Sequence, residues 1–110
     1  MKICIENDDK IIIKDNCIEV YVQKEKYCFD KSEIEEINII TTDLGPFYDD
    51  MCLTIKFSRK DDVVVFIMSE HPLYKKILFE ELSHIVDLDF QAIIEASTCT
   101  ENKIFLVYKR

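Results

Sequence analysis

The chain has 110 residues, 48% of them apolar, with seven phenylalanines, five tyrosines, one glycine and two prolines. That is the length of one domain, 1–110, with apolar material for a core and too little glycine and proline for long linkers or disordered tails. The formal net charge of −8 argues against nucleic acid and acidic membrane surfaces as partners, because both are held through a basic face.

Lys2 to Glu6 reads as a short strand, and Asn7-Asp8-Asp9-Lys10 as a polar turn cluster. Ile11-Ile12-Ile13-Lys14 is β-branched, Asp15-Asn16 is a turn signal, and Ile18, Val20 and Val22 then alternate with Cys17, Glu19 and Tyr21. Period two predicts a half-buried strand, hairpin-paired to the run before it. Gln23-Lys24-Glu25-Lys26 is a charged turn, Tyr27-Cys28-Phe29-Asp30 another strand, and residues 31–33 a turn. The β-branched run Ile37–Thr42 favours strand over helix, so a strand is expected over about 35–42.

Asp43-Leu44-Gly45-Pro46 breaks that ladder, since proline has no N–H to donate, and 43–50 reads as one loop. Cys52, Thr54 and Lys56 alternate with Leu53, Ile55 and Phe57, and Ser58–Asp62 is a hairpin loop of about five residues. Val63–Met68 is apolar at every position, which predicts a central strand covered on both faces.

The pattern changes after Ser69. Pro72 suits a first helical turn, and Tyr74, Leu78, Leu82 and Ile85, widened by Ile77 and Phe79, form the apolar stripe of a helix of about 13–15 residues. Asp89 is an N-cap for a second short helix with Phe90, Ile93 and Ile94 on one face. Lys103–Lys109 is a last strand. The expected fold is α+β: a largely antiparallel sheet of about six to seven strands, then two helices and a final C-terminal strand.

No run of eighteen apolar residues is present, and Met1–Asp8 has no apolar leader, so the expected location is the cytoplasm. The odd cysteine count, Cys4, Cys17, Cys28, Cys52 and Cys99, fits reduced thiols used as small hydrophobes. No C-x-x-C or H-E-x-x-H pattern occurs, and Asp43, Asp49 and Asp50 lack the EF-hand offset, so no metal or other cofactor is expected. His71 is expected near a helix start in solvent, and His84 packed or pointing outward. No glycine-rich phosphate loop or nucleophile elbow is present, which argues against an enzyme.

Thr41-Thr42-Asp43-Leu44-Gly45-Pro46-Phe47-Tyr48-Asp49-Asp50, together with Asp89-Phe90 through Ile93–Thr98 to Asn102 and Phe105–Arg110, resembles a family of small, mostly uncharacterised bacterial proteins. Its members carry T-T-D-x-G-P-F-x-x-D before an apolar strand and end in a short helix, a Ser-Thr…Asn loop and a strand. The likeness covers about the second two-thirds of the chain. Leu88-Asp89-Phe90 stands where Pro-Gly-Phe is usual, and Tyr108 where tryptophan is common. The resemblance implies a small α+β domain and no known reaction. A looser likeness to pleckstrin-homology-like bacterial domains rests on the strand-rich first half followed by a helix.

Residues 30–50 carry seven acids and one base, a concentration that would steer a basic partner. The expected function is therefore a non-enzymatic, acidic protein-binding domain of the immunity or antitoxin type, inhibiting a basic toxin such as a nuclease. Phe47 and Tyr48 would be the aromatic anchors, and Asp43, Asp49, Asp50, Glu35 and Glu36 the steering acids. The alternative is a general interaction or homo-oligomeric scaffold domain of pleckstrin-homology-like character, in which Phe47 belongs to the core and the acids are merely solvated.

Overall fold

A computed structural model describes residues 1–6, 8–14, 16–41, 51–59, 62–99 and 101–110. The chain is α+β, as the pattern predicts. Its strands are β1 (Lys2–Ile5), β2 (Lys10–Lys14), β3 (Cys17–Val22), β4 (Glu25–Asp30), β5 (Ile34–Thr41), β6 (Met51–Phe57), β7 (Val63–Met68) and β8 (Lys103–Lys109). They divide into two sheets, a three-stranded meander β2-β3-β4 and a five-stranded sheet in the order β1-β7-β6-β5-β8. All pairings are antiparallel except β1 with β7, which is parallel.

Local alternation builds the meander. Ile18, Val20 and Val22 of β3 are buried, whereas Cys17, Glu19 and Tyr21 face outward and are half-buried. The β2–β3 hairpin closes with Lys14 opposite Cys17, and Asn16 in its turn sits at φ 66°. Val22 opposes Glu25 in the next hairpin, so its turn is Gln23-Lys24, at φ 48° and 68°. Right-handed strand twist demands a turn with two left-handed residues there, a place suited to Asn-Gly. Gln23→Asn with Lys24→Gly is expected to stabilise the protein by about 1 kcal/mol, a thermal-melt rise of about 4–6 °C. An unchanged or lower Tm would mean the left-handed turn carries no recoverable strain.

Between β4 and β5, Lys31–Glu33 forms one 3-10 turn with a reciprocal cap. The Ser32 N–H and hydroxyl donate to Asp30 Oδ2 at 3.0 and 2.6 Å, and the Asp30 N–H donates to Glu33 Oε1 at 3.0 Å. The two Ser32 bonds hold the Asp30 carboxyl below its ordinary pKa.

The helical stripe after Ser69 takes an unexpected form. Lys76–Glu81 is a π-helical segment that runs into α1 (Leu82–Ile85). The Leu82 N–H donates to the Ile77 carbonyl, and this wider spacing buries Tyr74, Ile77, Leu78 and Leu82 while leaving Phe79 exposed. In α2 (Phe90–Thr98) the Asp89 carboxylate caps the Ala92 N–H at 3.1 Å, as expected. The buried face, however, is Ala92, Ile93 and Ala96, and Phe90 and Ile94 point to solvent. Two alanines let the helix backbone sit close against β8 and β5, which a phenylalanine in their place would prevent.

One core serves both sheets and the helices. It joins Ile11, Ile18 and Phe29 of the meander to Ile37, Leu53, Ile55, Phe57, Val65 and Ile67 of the larger sheet, and to Leu78, Leu82 and Ile93 of the helices. The Phe29 and Phe57 rings stack at 4.0 Å between centroids, 11° from parallel, which fixes the joint between the sheets. Among the described residues, no helix is long and apolar enough to cross a membrane.

Candidate functional site

With meander and helices on one side, the five-stranded sheet turns its other face outward. Cross-strand register arranges that face in three rows. The first holds Lys2, Val64, Lys56, Glu36 and Lys109. The second holds Cys4, Phe66, Thr54, Asn38 and Leu106, and the third Met68, Cys52, Ile40 and Ile104. A bulge between Ile37 and Asn38 lets Val107 and Tyr108 both turn inward while Leu106 and Lys109 stay outward.

Exposure sets this face apart from the core-facing one. Ile104 is 68% exposed, Leu106 45% and Met68 39%, while Val64, Phe66 and Ile40 are half-buried. The all-apolar run Val63–Met68 is therefore not covered on both faces. Val63, Val65 and Ile67 fill the core, and the other three look outward. The apolar row adjoins the mixed-charge row across Phe66, Thr54, Asn38 and Leu106. Folded chains in water seldom leave a contiguous apolar patch without a use for it.

The acids singled out in the sequence fare differently. Asp43, Phe47, Tyr48, Asp49 and Asp50 lie outside the described residues. Glu35 and Glu36 are both half-buried on β5. Glu35 pairs with Lys56 at 3.7 Å, and Glu36 lies in register between Lys56 and Lys109. Asp30 and Glu33 are occupied by the 3-10 turn, and Glu33 also receives the Arg59 guanidinium. The described part of the acidic stretch is thus largely tied into the fold. The apolar row beside it was missed because the alternation Cys52-Thr54-Lys56 gives no hint that its neighbours across the sheet are Met68, Ile40 and Ile104.

No family model, curated protein or solved structure matches the chain. The site therefore rests on its own geometry.

Other polar groups offer less. A groove of about 360 Å³ is lined by Lys31, Ser32, Ser83, His84, Tyr108 and Arg110, among others. Its two serine hydroxyls are engaged: Ser83 donates to the Phe79 carbonyl at 2.8 Å and Ser32 to Asp30. Arg110 donates to the Ser32 carbonyl at 2.6 Å. His84 is exposed, but His71 is 6% exposed and not solvated as its place in the sequence suggests. Its Nδ1 accepts the Leu73 N–H at 3.1 Å, and its Nε2 lies 2.9 Å from the Glu6 carbonyl. That pair of partners fits the neutral imidazole with hydrogen on Nε2, tying the loop after β7 to the end of β1. Burial pushes the Glu81 carboxyl up, with Lys76 at 3.8 Å pulling against it. Glu81 Oε2 has no partner among the described residues.

The cysteines also depart from expectation. None of the five is in a disulfide or fully buried, and Cys4 and Cys28 are exposed. Branched and aromatic neighbours fill the inward positions, so the strand cysteines take the outward ones.

Proposed function

We propose that this chain is a non-enzymatic protein-binding domain whose docking surface is the outward face of the five-stranded sheet. The observation that carries it is the apolar row Met68, Cys52, Ile40 and Ile104, continued by Phe66 and Leu106 and bordered by the charged row. An apolar centre with a polar border is the anatomy of a protein interface. The partner we propose is a basic protein, of the class of a cationic toxin domain such as a nuclease, with this chain as its immunity- or antitoxin-type inhibitor. The net charge of −8 supports that choice, because it draws a cationic partner in and speeds encounter at low salt. The contacts proposed from the sequence, Asp43, Phe47, Tyr48, Asp49 and Asp50, lie between Thr41 and Met51 in the chain and remain part of this proposal.

The test is titration of the purified protein against toxin domains encoded beside its gene, at low and moderate salt. A complex that weakens with salt is expected. Ile104→Ser combined with Leu106→Ser is expected to weaken it about 30- to 100-fold with an unchanged Tm, since both side chains are exposed. Asp49→Lys with Asp50→Lys is expected to act in the same direction. No complex with any such domain would overturn the reading.

A second reading, a homo-oligomeric scaffold domain, draws on the same apolar row and on β1 and β8 as edge strands. Sedimentation separates the two. A concentration-dependent dimer abolished by the Ile104→Ser, Leu106→Ser pair favours the scaffold.

A further inference from the structure

The outer face of the meander carries a second constellation. Cys17 and Cys28 stand diagonally across β3 and β4, Cys17 opposite Asp30 and Cys28 opposite Glu19. Their sulfurs are 2.9 Å apart. The carboxylates beside them are committed elsewhere: Glu19 accepts the Tyr21 hydroxyl at 2.6 Å and faces Lys26 at 3.7 Å, and Asp30 accepts from Ser32. The pair therefore stands as a dithiol and not as part of a larger metal-donor set. A disulfide bond is about 2.05 Å long, so closure asks for about 0.9 Å of approach shared between two side chains.

We propose that Cys17 and Cys28 are a thiol-oxidation site that a hydroperoxide converts reversibly to an intramolecular disulfide. Cys28 reacts first. It is the exposed member of the pair, whereas Cys17 is half-buried. Cys17 keeps its proton: its thiol is pushed up to about 11, first by the hydrogen bond to Cys28, then by burial.

In the first step the Cys28 sulfur attacks the outer peroxide oxygen. The O–O bond breaks, the sulfur is oxidised to a sulfenic acid, and the alkoxide leaves with the thiol proton as an alcohol. In the second, the Cys17 sulfur attacks the Cys28 sulfur. The S–S bond forms, the S–O bond breaks, and hydroxide leaves with the Cys17 proton as water. A small dithiol reverses the change by exchange, and is itself oxidised to a disulfide.

The test treats the whole, reduced protein with a small excess of hydrogen peroxide, alkylates the remaining thiols in denaturant and maps the peptides by mass. Cys17 and Cys28 are expected to lose alkylation together, before Cys4, Cys52 and Cys99. A linked Cys17–Cys28 peptide should appear and vanish with dithiothreitol. In Cys17→Ser, Cys28 is expected to stop as a sulfenic acid captured by dimedone. Cys28 recovered as sulfinic acid with Cys17 still alkylated would overturn the proposal. Loss of all five thiols at one rate, or linkage only between two copies, would do the same.

Discussion

Phe29→Ala is expected to lower stability by about 3–5 kcal/mol. Phe29 is 1% exposed, lies face to face with Phe57 at 4.0 Å, and carries the Arg59 guanidinium on its other side at 4.3 Å. Removing its ring opens a cavity where β4 of the meander meets β6 of the larger sheet. Backbones on both sides are held by ladder bonds and cannot collapse into the space. A domain of this size is stable by only about 5–15 kcal/mol, so the Tm should fall by roughly 15–25 °C. Phe29→Leu keeps most of the volume and is expected to cost about 1–2 kcal/mol. Urea unfolding of both variants checks this, and a loss below about 1.5 kcal/mol for the alanine would show that the joint lies elsewhere.

Arg59→Ala is expected to cost about 2–3 kcal/mol, although its side chain is 40% exposed. An exposed ion pair alone contributes about 0–1 kcal/mol. Arg59 does more: it bonds both Glu33 oxygens and the Cys28 carbonyl and covers the Phe29 ring. One planar cation thereby ties the 3-10 turn, β4 and the β6–β7 connection together. Arg59→Lys is expected to recover less than half of the loss, because an ammonium cannot bridge both oxygens and also lie flat on the ring. The pair has a pH signature. The Arg59 hydrogen bond, then the Asp30 N–H, hold the Glu33 carboxyl below its ordinary value of 4.5. A depressed carboxyl contributes stability that is complete above the unfolded value and is lost as pH falls through the folded one. Wild-type stability should therefore drop on acidification below 4.5, and that drop should flatten in Arg59→Ala. Equal acid slopes in the two proteins would contradict it.

Local patterns were well legible. The alternation in Cys17–Val22, the turn at 31–33 and the Asp89 cap all follow from neighbours within four residues, and the α+β class follows from them. Long-range choices were not. Nothing near Lys2–Ile5 says that it will lie parallel to Val63–Met68, or that β2-β3-β4 will separate into its own sheet. His71 looks like a solvated residue near a helix start until the Glu6 carbonyl arrives from the other end of the sequence. In α2 the large residues Phe90 and Ile94 suggest the packed face, but close approach to the sheet selects Ala92 and Ala96. The candidate surface was hidden for the same reason. Its members come from five strands, and only their register gathers them. The acidic concentration at 30–50 was visible, yet chemistry within the fold, capping at Asp30 and pairing at Glu33 and Glu35, already occupies part of it.

The two edges of the larger sheet come from opposite ends of the sequence, β1 from residues 2–5 and β8 from residues 103–109. On a ribosome, the meander can close as soon as residue 30 has emerged, since its pairings span short loops. The larger sheet has to wait for almost the whole chain: β1 is in place when β7 emerges, but β5 is held without its outer neighbour β8. Pairing across such sequence distances makes folding slow relative to helical proteins of similar length. During that interval β5 presents an open ladder edge with Ile37, Ile39 and Ile40 beside it. Ribosome-bound chains that stop short of Phe105 are therefore expected to be the aggregation-prone species, and the strand that completes the sheet also ends that exposure.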